Sequence, residues 1–454
     1  MSAMVRIAIA ALTTALLAMA GALPARAQVA PVFAGASHEA VVVIHCGRLL
    51  AKPGEQPLGK TTVVIRDGQI AEVMAGLRDP RRYEGRNREV SFIDLTDYYV
   101  LPGLIDAHVH ITGQMDANSR LRAVQDSDAD TALHGVVYAK RTLDAGFTTV
   151  RDLGAAGDAI FALRDAINRG DIPGPRIIAA GEAITPTGGH GDSTHGYRED
   201  LFDTPGPMQG VADGPYEARK AVRAQVKRGA DVIKVTATGG VLSATKAGTD
   251  QQFFDDELEA IVKTSHALGR KVAAHAHGTE GIKAALRAGV DSIEHGSFLD
   301  DEAVSLFQQT GAFLVPTLLA GETVAEIARS NDNYFVPAVR EKALAVGPAV
   351  ARAFGKAHKG GVKIAFGTDS GVSRHGDNAR EFALMVAAGM KPAEAIRSAT
   401  VMGARLLGLA DEVGTIEPGK DADVIAVRGD PLHDVSILQD VVFVMRAGAV
   451  SKKP

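Results

Sequence analysis

Short apolar runs alternate with longer amphipathic stretches through the middle of the chain, from about residue 99 to residue 410. The apolar runs are rich in Val, Ile and Ala and are bounded by turn residues, which is typical of buried strands. The stretches between them carry Leu and Ala at helical spacing among charged residues, with glycine near their ends. The eight runs are GLIDAHVHI from Gly103, FTTVRDLG from Phe147, RIIAAG from Arg176, DVIKVTAT from Asp231, KVAAHAHG from Lys271, DSIEHGS from Asp291, AFLVPTL from Ala312 and VKIAFGTDSG from Val362.

Eight strand–helix repeats over roughly 310 residues predict an α/β fold, a (β/α)8 TIM barrel that spans residues 99–410. An open, doubly wound parallel sheet is the structural alternative. A G-x-G-x-x-G turn after the first strand would favour that alternative, and the sequence has none there.

Both ends of the chain are β-rich once the leader is set aside. Residues 39–98 and 414–450 contain β-branched runs that are separated by turn residues such as Asp67-Gly68. Each piece alone would leave strand edges unpaired. We therefore expect residues 28–98 and 411–454 to build one small β-sandwich domain together.

The first residues have a different pattern. Arg6 is followed by an apolar run and then by Ala25-Arg26-Ala27, which is the order of a secretory signal peptide. We expect cleavage before Gln28, so that residues 1–27 are removed and the mature protein is periplasmic or secreted. The apolar run is short for a membrane span, and an uncleaved membrane anchor is the alternative. After cleavage we expect no stable membrane span.

Composition narrows the range of partners. The 454 residues carry a formal net charge of −5, and no basic run is interleaved with aromatic residues, so we expect no nucleic-acid partner. The single cysteine, Cys46, excludes an intrachain disulfide. It lies in the apolar stretch AVVVIHCG and is expected to be a small buried side chain. The sequence leaves open whether the protein forms a homo-oligomer.

Polar residues recur late in five of the predicted barrel strands, at the end where barrels of this type carry catalytic groups. Side chains two residues apart on a strand point to the same face, so each His-x-His pair places two imidazoles together. One such pair alone is weak evidence for a metal, but scattered surface histidines do not explain the recurrence. These residues are His108, His110, Lys234, His275, His277, His295 and Asp369.

Lys234 is the most informative of these residues. In VIKVT, Ile233 and Val235 should face the outer helices, which leaves Lys234 inside the barrel. Burial lowers the pKa of a lysine and favours the neutral amine. The nitrogen lone pair can then add to the carbon of CO2 with loss of one proton, which gives an anionic carbamate able to bridge two metals. An ion pair with a carboxylate such as Asp369 is the alternative.

Four of the histidines, together with Lys234 and Asp369, form the ligand set of a binuclear metal centre. Imidazole and carboxylate ligands suit zinc, with manganese, iron or cobalt as alternatives. The carbamate, Asp369 and a bridging hydroxide would reduce the charge of two divalent ions to about +1, which leaves a Lewis acid that can polarise a carbonyl.

Five motifs, in this order and spacing, resemble those of the amidohydrolase superfamily. They are PGLIDAHVH, VIKVTATGG, VAAHAHG, SIEHGS and FGTDSG. The sequence is most similar to the branch of imidazolonepropionase-like Xaa-Pro dipeptidases and carboxypeptidase-type amidases, over nearly all of the chain after the leader. The ligands that the resemblance implies are His108, His110 and Asp369 for one metal, His275 and His295 for the other, and carboxylated Lys234 as the bridge.

We hypothesise that the protein hydrolyses an amide bond of a dipeptide or an N-acyl amino acid, including toxins with an aryl amide to an amino acid. A metal-bridging hydroxide would attack the carbonyl, and Asp369 would pass its proton to the leaving nitrogen. A cyclic-amide hydrolase or a deaminase is the alternative on the same scaffold, although deaminases of this type usually lack the bridging lysine. A non-catalytic secreted binding protein is the alternative of another class.

Substrate contacts are expected from residues around the same strand ends. Flanking glycines let the backbone at His190 approach a ligand, and His277 faces the same way as His275. The candidate contacts are His190, His277, His195, Tyr197, Gly239 and Gly240. Arg151 and Asp152 are expected to form a structural pair rather than to take part in catalysis.

Overall fold

A computed structural model describes residues 39–85, 88–243 and 248–454. The predicted signal peptide lies outside these residues. Within them, strands from both ends of the chain meet in one sheet. Its strands are β1 (Glu39–Leu49), β2 (Thr61–Arg66), β3 (Gln69–Ala75), β4 (Arg88–Pro102), β13 (Val424–Val427), β14 (Val441–Arg446) and β15 (Ala449–Lys452). Their order across the sheet is β15-β14-β13-β4-β1-β2-β3.

Strand β4 joins the two ends because it pairs with one strand from each. It runs parallel to β1 on one side and antiparallel to β13 on the other. The β2–β3 hairpin turns at Asp67 and Gly68, whose φ angles of 48° and 83° suit a two-residue hairpin turn. The two β-rich ends therefore share a sheet, while the limits of a separate sandwich domain stay a prediction.

One apolar cluster of this sheet combines residues from both ends of the chain. Ile44 and Cys46 of β1 belong to it together with Val424, Phe443 and Met445, all of them fully buried. Burial raises the pKa of the Cys46 thiol to about 12, so the thiol stays protonated at ordinary pH. Cys46 is therefore the small buried side chain that the sequence predicted.

All eight strands predicted for the middle of the chain are present. They are β5 (Leu104–Val109), β6 (Phe147–Asp152), β7 (Arg176–Ala179), β8 (Val232–Thr236), β9 (Lys271–Ala276), β10 (Ser292–His295), β11 (Phe313–Val315) and β12 (Lys363–Ile364). All of their pairings are parallel, with β5 to β7 in one sheet and β8 to β12 in a second. The chain therefore has the expected parallel α/β organisation, in two sheets.

Backbone hydrogen bonds occur at both seams between these two parallel sheets. At one seam, the amide of Asp369 donates to the carbonyl of His108 at 2.7 Å. At the other, the amide of Ile184 donates to the carbonyl of Lys234 at 2.8 Å. These are isolated bridges rather than continuous ladders, so closure of a complete barrel stays a prediction.

Helices alternate with the parallel strands, as the amphipathic stretches predicted. They are α1 (Ser119–Gln125), α2 (Asp128–Asp144), α3 (Ala159–Arg169), α4 (Gly214–Arg228), α5 (Asp255–Ala267), α6 (Thr279–Ala288), α7 (Asp301–Thr310), α8 (Leu318–Ser330), α9 (Pro337–Lys359), α10 (Arg380–Ala387), α11 (Pro392–Arg397) and α12 (Gly403–Leu407). The apolar faces of α2 to α11 join the strands in the largest core cluster. In the part of the chain that the structure describes, no helix has the length and apolar character needed to cross a membrane.

Candidate metal centre

The polar residues predicted at the strand ends all line one cavity of about 360 Å3. Each is buried except His110, which is partly exposed. The parallel strands deliver them because the carboxyl ends of such strands lie along one edge of each sheet. They are His108 and His110 at the end of β5, Lys234 in β8, His275 and His277 at the end of β9, His295 at the end of β10, and Asp369 after β12.

Hydrogen bonds fix both rings of the first histidine pair. Nδ1 of His108 donates to Oε2 of Glu294 at 2.9 Å, and Nδ1 of His110 donates to the carbonyl of Gly154 at 2.8 Å. With the proton on Nδ1, Nε2 of each ring offers its lone pair to a metal when that ring is neutral. Burial, together with the charge of Lys234, lowers the pKa of His108 to about 4 and so favours the neutral ring.

Asp369 faces both of these nitrogens. Its Oδ1 lies 3.2 Å from Nε2 of His110 and 3.5 Å from Nε2 of His108. This oxygen is buried and has no hydrogen-bond partner among the residues that the structure describes. Burial opposes a charge on His110, but the contact with Asp369 outweighs it and raises the pKa of this histidine. One buried carboxylate oxygen facing two imidazole nitrogens is a costly arrangement on its own. These three atoms fit a divalent cation, which would contact all of them.

The ligand atoms form two adjoining groups. Those of His108, His295 and Asp369 lie within 4.8 Å of one another, and so do those of His275, His277 and His295. Because His295 belongs to both groups, the side chains fit two neighbouring cations. His277, which the sequence predicted as a substrate contact, belongs to this second group together with the predicted ligands His275 and His295.

The backbone is strained at three residues around the centre. His295, Thr317 and Asp369 have φ angles of 72°, 51° and 57°, in the left-handed region that non-glycine residues seldom adopt. Each such residue costs on the order of 1–3 kcal/mol and persists only when its surroundings hold it in place. One of those restraints is a contact of 2.7 Å between Nδ1 of His295 and Oγ1 of Thr317.

Lys234 is buried, and its amine makes no hydrogen bond or ion pair within the described part of the chain. The alternative that the sequence left open, an ion pair with Asp369, is therefore not formed. Burial lowers the pKa of Lys234 to about 8, which increases the share of the neutral amine. A neutral amine without a partner is what carbamate formation needs, and the carbamate itself stays a prediction.

Sequence reasoning missed Glu294, which is fully buried beside the first histidine pair. Its Oε2 accepts the proton of His108, and its Oε1 accepts from Nη2 of Arg151 at 3.0 Å. Glu294 and His108 are 186 residues apart in the chain, so no local sequence pattern predicts their contact. The only signal was an acidic residue directly before His295 in the motif SIEHGS.

The expectation that Arg151 and Asp152 pair with each other is wrong. Arg151 donates to Glu294 and, at 2.6 Å, to the carbonyl of Ala107, whereas Asp152 accepts the amide of Ile111 at 2.6 Å. The two are neighbours on one strand and therefore point to opposite faces, which prevents a direct contact. Both are fully buried and serve the structure around the centre, as the sequence suggested.

The predicted substrate contacts fall into two sets. His190 and His277 line the cavity, and the ring centroids of His190 and His275 are 4.3 Å apart. Gly240 lies against the His190 ring, because an added Cβ would stand 2.1 Å from its Cε1 atom. Gly239 contributes a carbonyl 3.4 Å from Nε2 of His275. Among the described residues that line the cavity, His195 and Tyr197 are absent, and so are Gly239 and Gly240.

Helices α8 and α9 give the cavity an apolar wall. Val324 of α8 contributes to it together with Val346 and Val350 of α9. Leu242 extends the same lining from the segment after β8. The cavity thus combines a polar floor of histidines with a wall that suits an apolar group.

Comparison with known proteins agrees with this fold. A model of the amidohydrolase family matches residues 99–452. The chain therefore belongs to the amidohydrolase family and is a hydrolytic enzyme, which confirms the resemblance seen in the sequence. This membership decides against the non-catalytic binding protein.

Individual relatives match along most of the chain. Ochratoxinase of Aspergillus niger is 34% identical over 441 residues, which cover 93% of this chain and 89% of the fungal protein. The crystal structure of a Xaa-Pro dipeptidase with methionine bound in its active site is 45% identical, with a TM-score of 0.85, and covers 90% of this chain and 99% of that chain. A prolidase in complex with N-methylphosphonate-L-proline is 31% identical, with a TM-score of 0.81, over 91% of this chain and 100% of that chain.

Proposed function

We propose that this protein is an exported, metal-dependent amidohydrolase that cleaves the amide bond of a dipeptide or an N-acyl amino acid. The observation that carries the proposal is the meeting of the Nε2 atoms of His108 and His110 with the unpartnered Oδ1 of Asp369. A divalent cation there would be bound by all three atoms.

The centre is proposed to hold two divalent ions, with zinc as the first choice. When bound, they would polarise the substrate carbonyl and lower the pKa of a water molecule. The proposed ligands are His108, His110 and Asp369 for one ion, His275 and His295 for the other, and carboxylated Lys234 for both. The carboxyl group forms when the neutral amine of Lys234 bonds to the carbon of CO2 and one N–H proton leaves.

Asp369 is proposed to move the proton during hydrolysis. An amide nitrogen leaves poorly unless it is protonated, so a group that accepts a proton from water and returns it to nitrogen is required. Asp369 is the carboxylate on the cavity wall that faces the histidines of the first pair. Its position supports this role.

The apolar wall of Val324, Val346 and Val350 supports a substrate with an apolar side chain or ring on one side of the amide. The names of the relatives, Xaa-Pro dipeptidase and ochratoxinase, support the same substrate class. His190 and His277 are proposed to contact the substrate, since both line the cavity.

The test is a substrate panel run on the exported protein after loading with zinc. The panel contains Xaa-Pro dipeptides, dipeptides with a hydrophobic C-terminal residue, N-acyl amino acids with aryl acyl groups, cyclic amides and aromatic amines. Release of a free amino acid from the first three groups is the expected result, with two ions per chain in the same sample. Ring opening or ammonia release alone would favour the cyclic-amide hydrolase or the deaminase.

The remaining parts of the proposal concern architecture and export. We propose that the parallel strands close into a (β/α)8 barrel over residues 99–410 and that residues 28–98 and 411–454 form a β-sandwich domain. We also propose cleavage before Gln28. Sequencing the N-terminus of protein recovered from the periplasm or the medium checks this cleavage, and an intact leader in the membrane fraction would contradict it.

A further inference from the structure

Glu381 has a fully buried carboxyl group outside the proposed ligand set, and burial raises its pKa to about 8. It lies in α10, yet its two oxygens accept the amides of Leu318 at 2.9 Å and Leu319 at 2.6 Å, which are the first residues of α8. The first amides of a helix have no acceptor within that helix. Glu381 therefore caps α8 from another helix and fixes where α8 begins.

Thr317 connects this cap to the metal centre. It directly precedes α8, is buried, and has the left-handed φ of 51°. Its Oγ1 lies 2.7 Å from Nδ1 of His295. A threonine in this conformation is strained, so contacts on either side must hold it. The two amides that Glu381 binds belong to the residues directly after Thr317.

The residues that lead into α10 make a second set of contacts near the centre. Nδ2 of Asn378 donates to Oδ2 of Asp106 at 2.8 Å, and the hydroxyl of Thr368 donates to the same oxygen at 2.6 Å. Asp106 stands two residues before His108, and Thr368 directly precedes Asp369. The segment directly before α10 is thus hydrogen-bonded to the neighbours of other proposed ligands.

We propose that Glu381 is a positioning residue for the metal centre. By capping α8 it holds Thr317 in its left-handed conformation, and the Thr317 hydroxyl accepts the Nδ1 proton of His295. The Nε2 lone pair of His295 then points into the cavity, where a metal can use it. This inference rests on the proposed function, because it assigns His295 to a metal.

Helix α5 offers a matched control. Glu257 is also a buried glutamate whose oxygens accept two backbone amides, those of Gly214 at 2.6 Å and Phe254 at 2.7 Å. It does not line the cavity. Glu257→Gln therefore removes a comparable cap whose two amides, those of Gly214 and Phe254, do not adjoin a proposed metal ligand.

The experiment measures zinc affinity by chelator competition, and melting temperature, on the full-length zinc-loaded protein and its variants. Glu381→Gln and Thr317→Val should each weaken binding of the more weakly held ion by about 10- to 100-fold and lower kcat with little change in KM. Thr317→Ser, which keeps the hydroxyl, should restore most of the affinity. Glu257→Gln should lower the melting temperature while zinc affinity stays within about twofold of wild type.

A double variant tests whether Glu381 acts through Thr317. If it does, Glu381→Gln adds little to the loss already caused by Thr317→Val, whereas multiplied losses would overturn the proposed path. If Glu381→Gln and Glu257→Gln lower the melting temperature equally and leave zinc affinity unchanged, Glu381 is only a structural cap and the positioning role is wrong. If Glu381→Gln does not fold, Glu381→Asp, which keeps the carboxyl group but has a shorter reach, takes its place with the same expected direction. Wild-type protein that binds no metal would refute the proposed function instead, so its metal content is measured first.

Discussion

Two His-x-His pairs of identical spacing end strands β5 and β9, and the structure holds them differently. The rings of the first pair donate to the carboxylate of Glu294 and to a backbone carbonyl. In the second pair, Nδ1 of His277 contacts the hydroxyl of Ser297 at 2.7 Å, and Nε2 of His275 contacts the Gly239 carbonyl at a long 3.4 Å. A carboxylate partner makes an imidazole a stronger ligand than a hydroxyl does. We therefore expect the first pair to bind its metal more tightly.

The charges around the two pairs also favour a cation at the first pair. The first pair faces the carboxylate of Asp369. Around the second pair, burial together with the neighbouring rings of His190 and His295 lowers the pKa of His275 well below its usual range. The first motif thus supplies two proposed ligands, whereas the second supplies one, His275, and the proposed substrate contact His277.

Removing the carboxylate in front of the first pair should have the largest effect. Asp369→Asn keeps the size of the side chain but cannot accept and return a proton. We expect kcat on a cleaved dipeptide to fall by about 10³-fold or more. Circular dichroism should show an unchanged fold, and a variant with substantial turnover would contradict the assigned role.

Removing the carboxylate behind the first pair should have the next largest effect. Glu294→Gln takes away the anionic partner of His108 and leaves Arg151 buried without its counter-charge. We expect zinc affinity at the tighter site to fall by about 10- to 100-fold, and stability to fall as well because a buried charge has lost its partner. Chelator competition and thermal melting measure the two effects. Unchanged zinc affinity at the tighter site would show that the carboxylate of Glu294 does not strengthen metal binding by the first pair.

The pH at which the metal-free protein is reconstituted tests Lys234, whose charge acts on histidines of both pairs. Its pKa of about 8 means that the neutral amine increases about tenfold from pH 7 to pH 9. At a fixed CO2 concentration, the initial rate of reactivation by zinc and CO2 should rise over this range and level off above it. Lys234→Met should abolish the CO2 dependence, and a flat profile in wild type would argue against the carbamate.

The smallest effect is expected behind the second pair. Ser297→Ala removes a neutral hydroxyl from His277, whose ring lies in one group with the proposed ligands His275 and His295. The loss of one such hydrogen bond corresponds to about 1 kcal/mol, so zinc affinity at the second site should fall by a few-fold at most. The measurement is the same chelator competition used for Glu294→Gln. A loss equal to that of Glu294→Gln would show that partner charge does not distinguish the two pairs.

Much of the site was predictable because its signals are local. The alternation within VIKVT put Lys234 among the buried residues, and two-residue spacing brought His108 and His110 to one cavity. The same logic placed His277 beside His275 as a substrate contact, and both line the cavity. It also paired Arg151 with its chain neighbour, although adjacent strand residues face apart.

The sequence by itself determined the strands of the middle region, their succession along the chain, the residue types at their ends and the family. Only the tertiary structure decided which partner stands behind each ring, because Glu294 reaches His108 across 186 residues and Glu381 caps α8 across about sixty. Hydropathy and spacing report which side of an element a residue occupies over a few turns of chain. The direction of a lone pair depends instead on a hydrogen bond to a distant element, and that bond exists only once the strands and helices have packed.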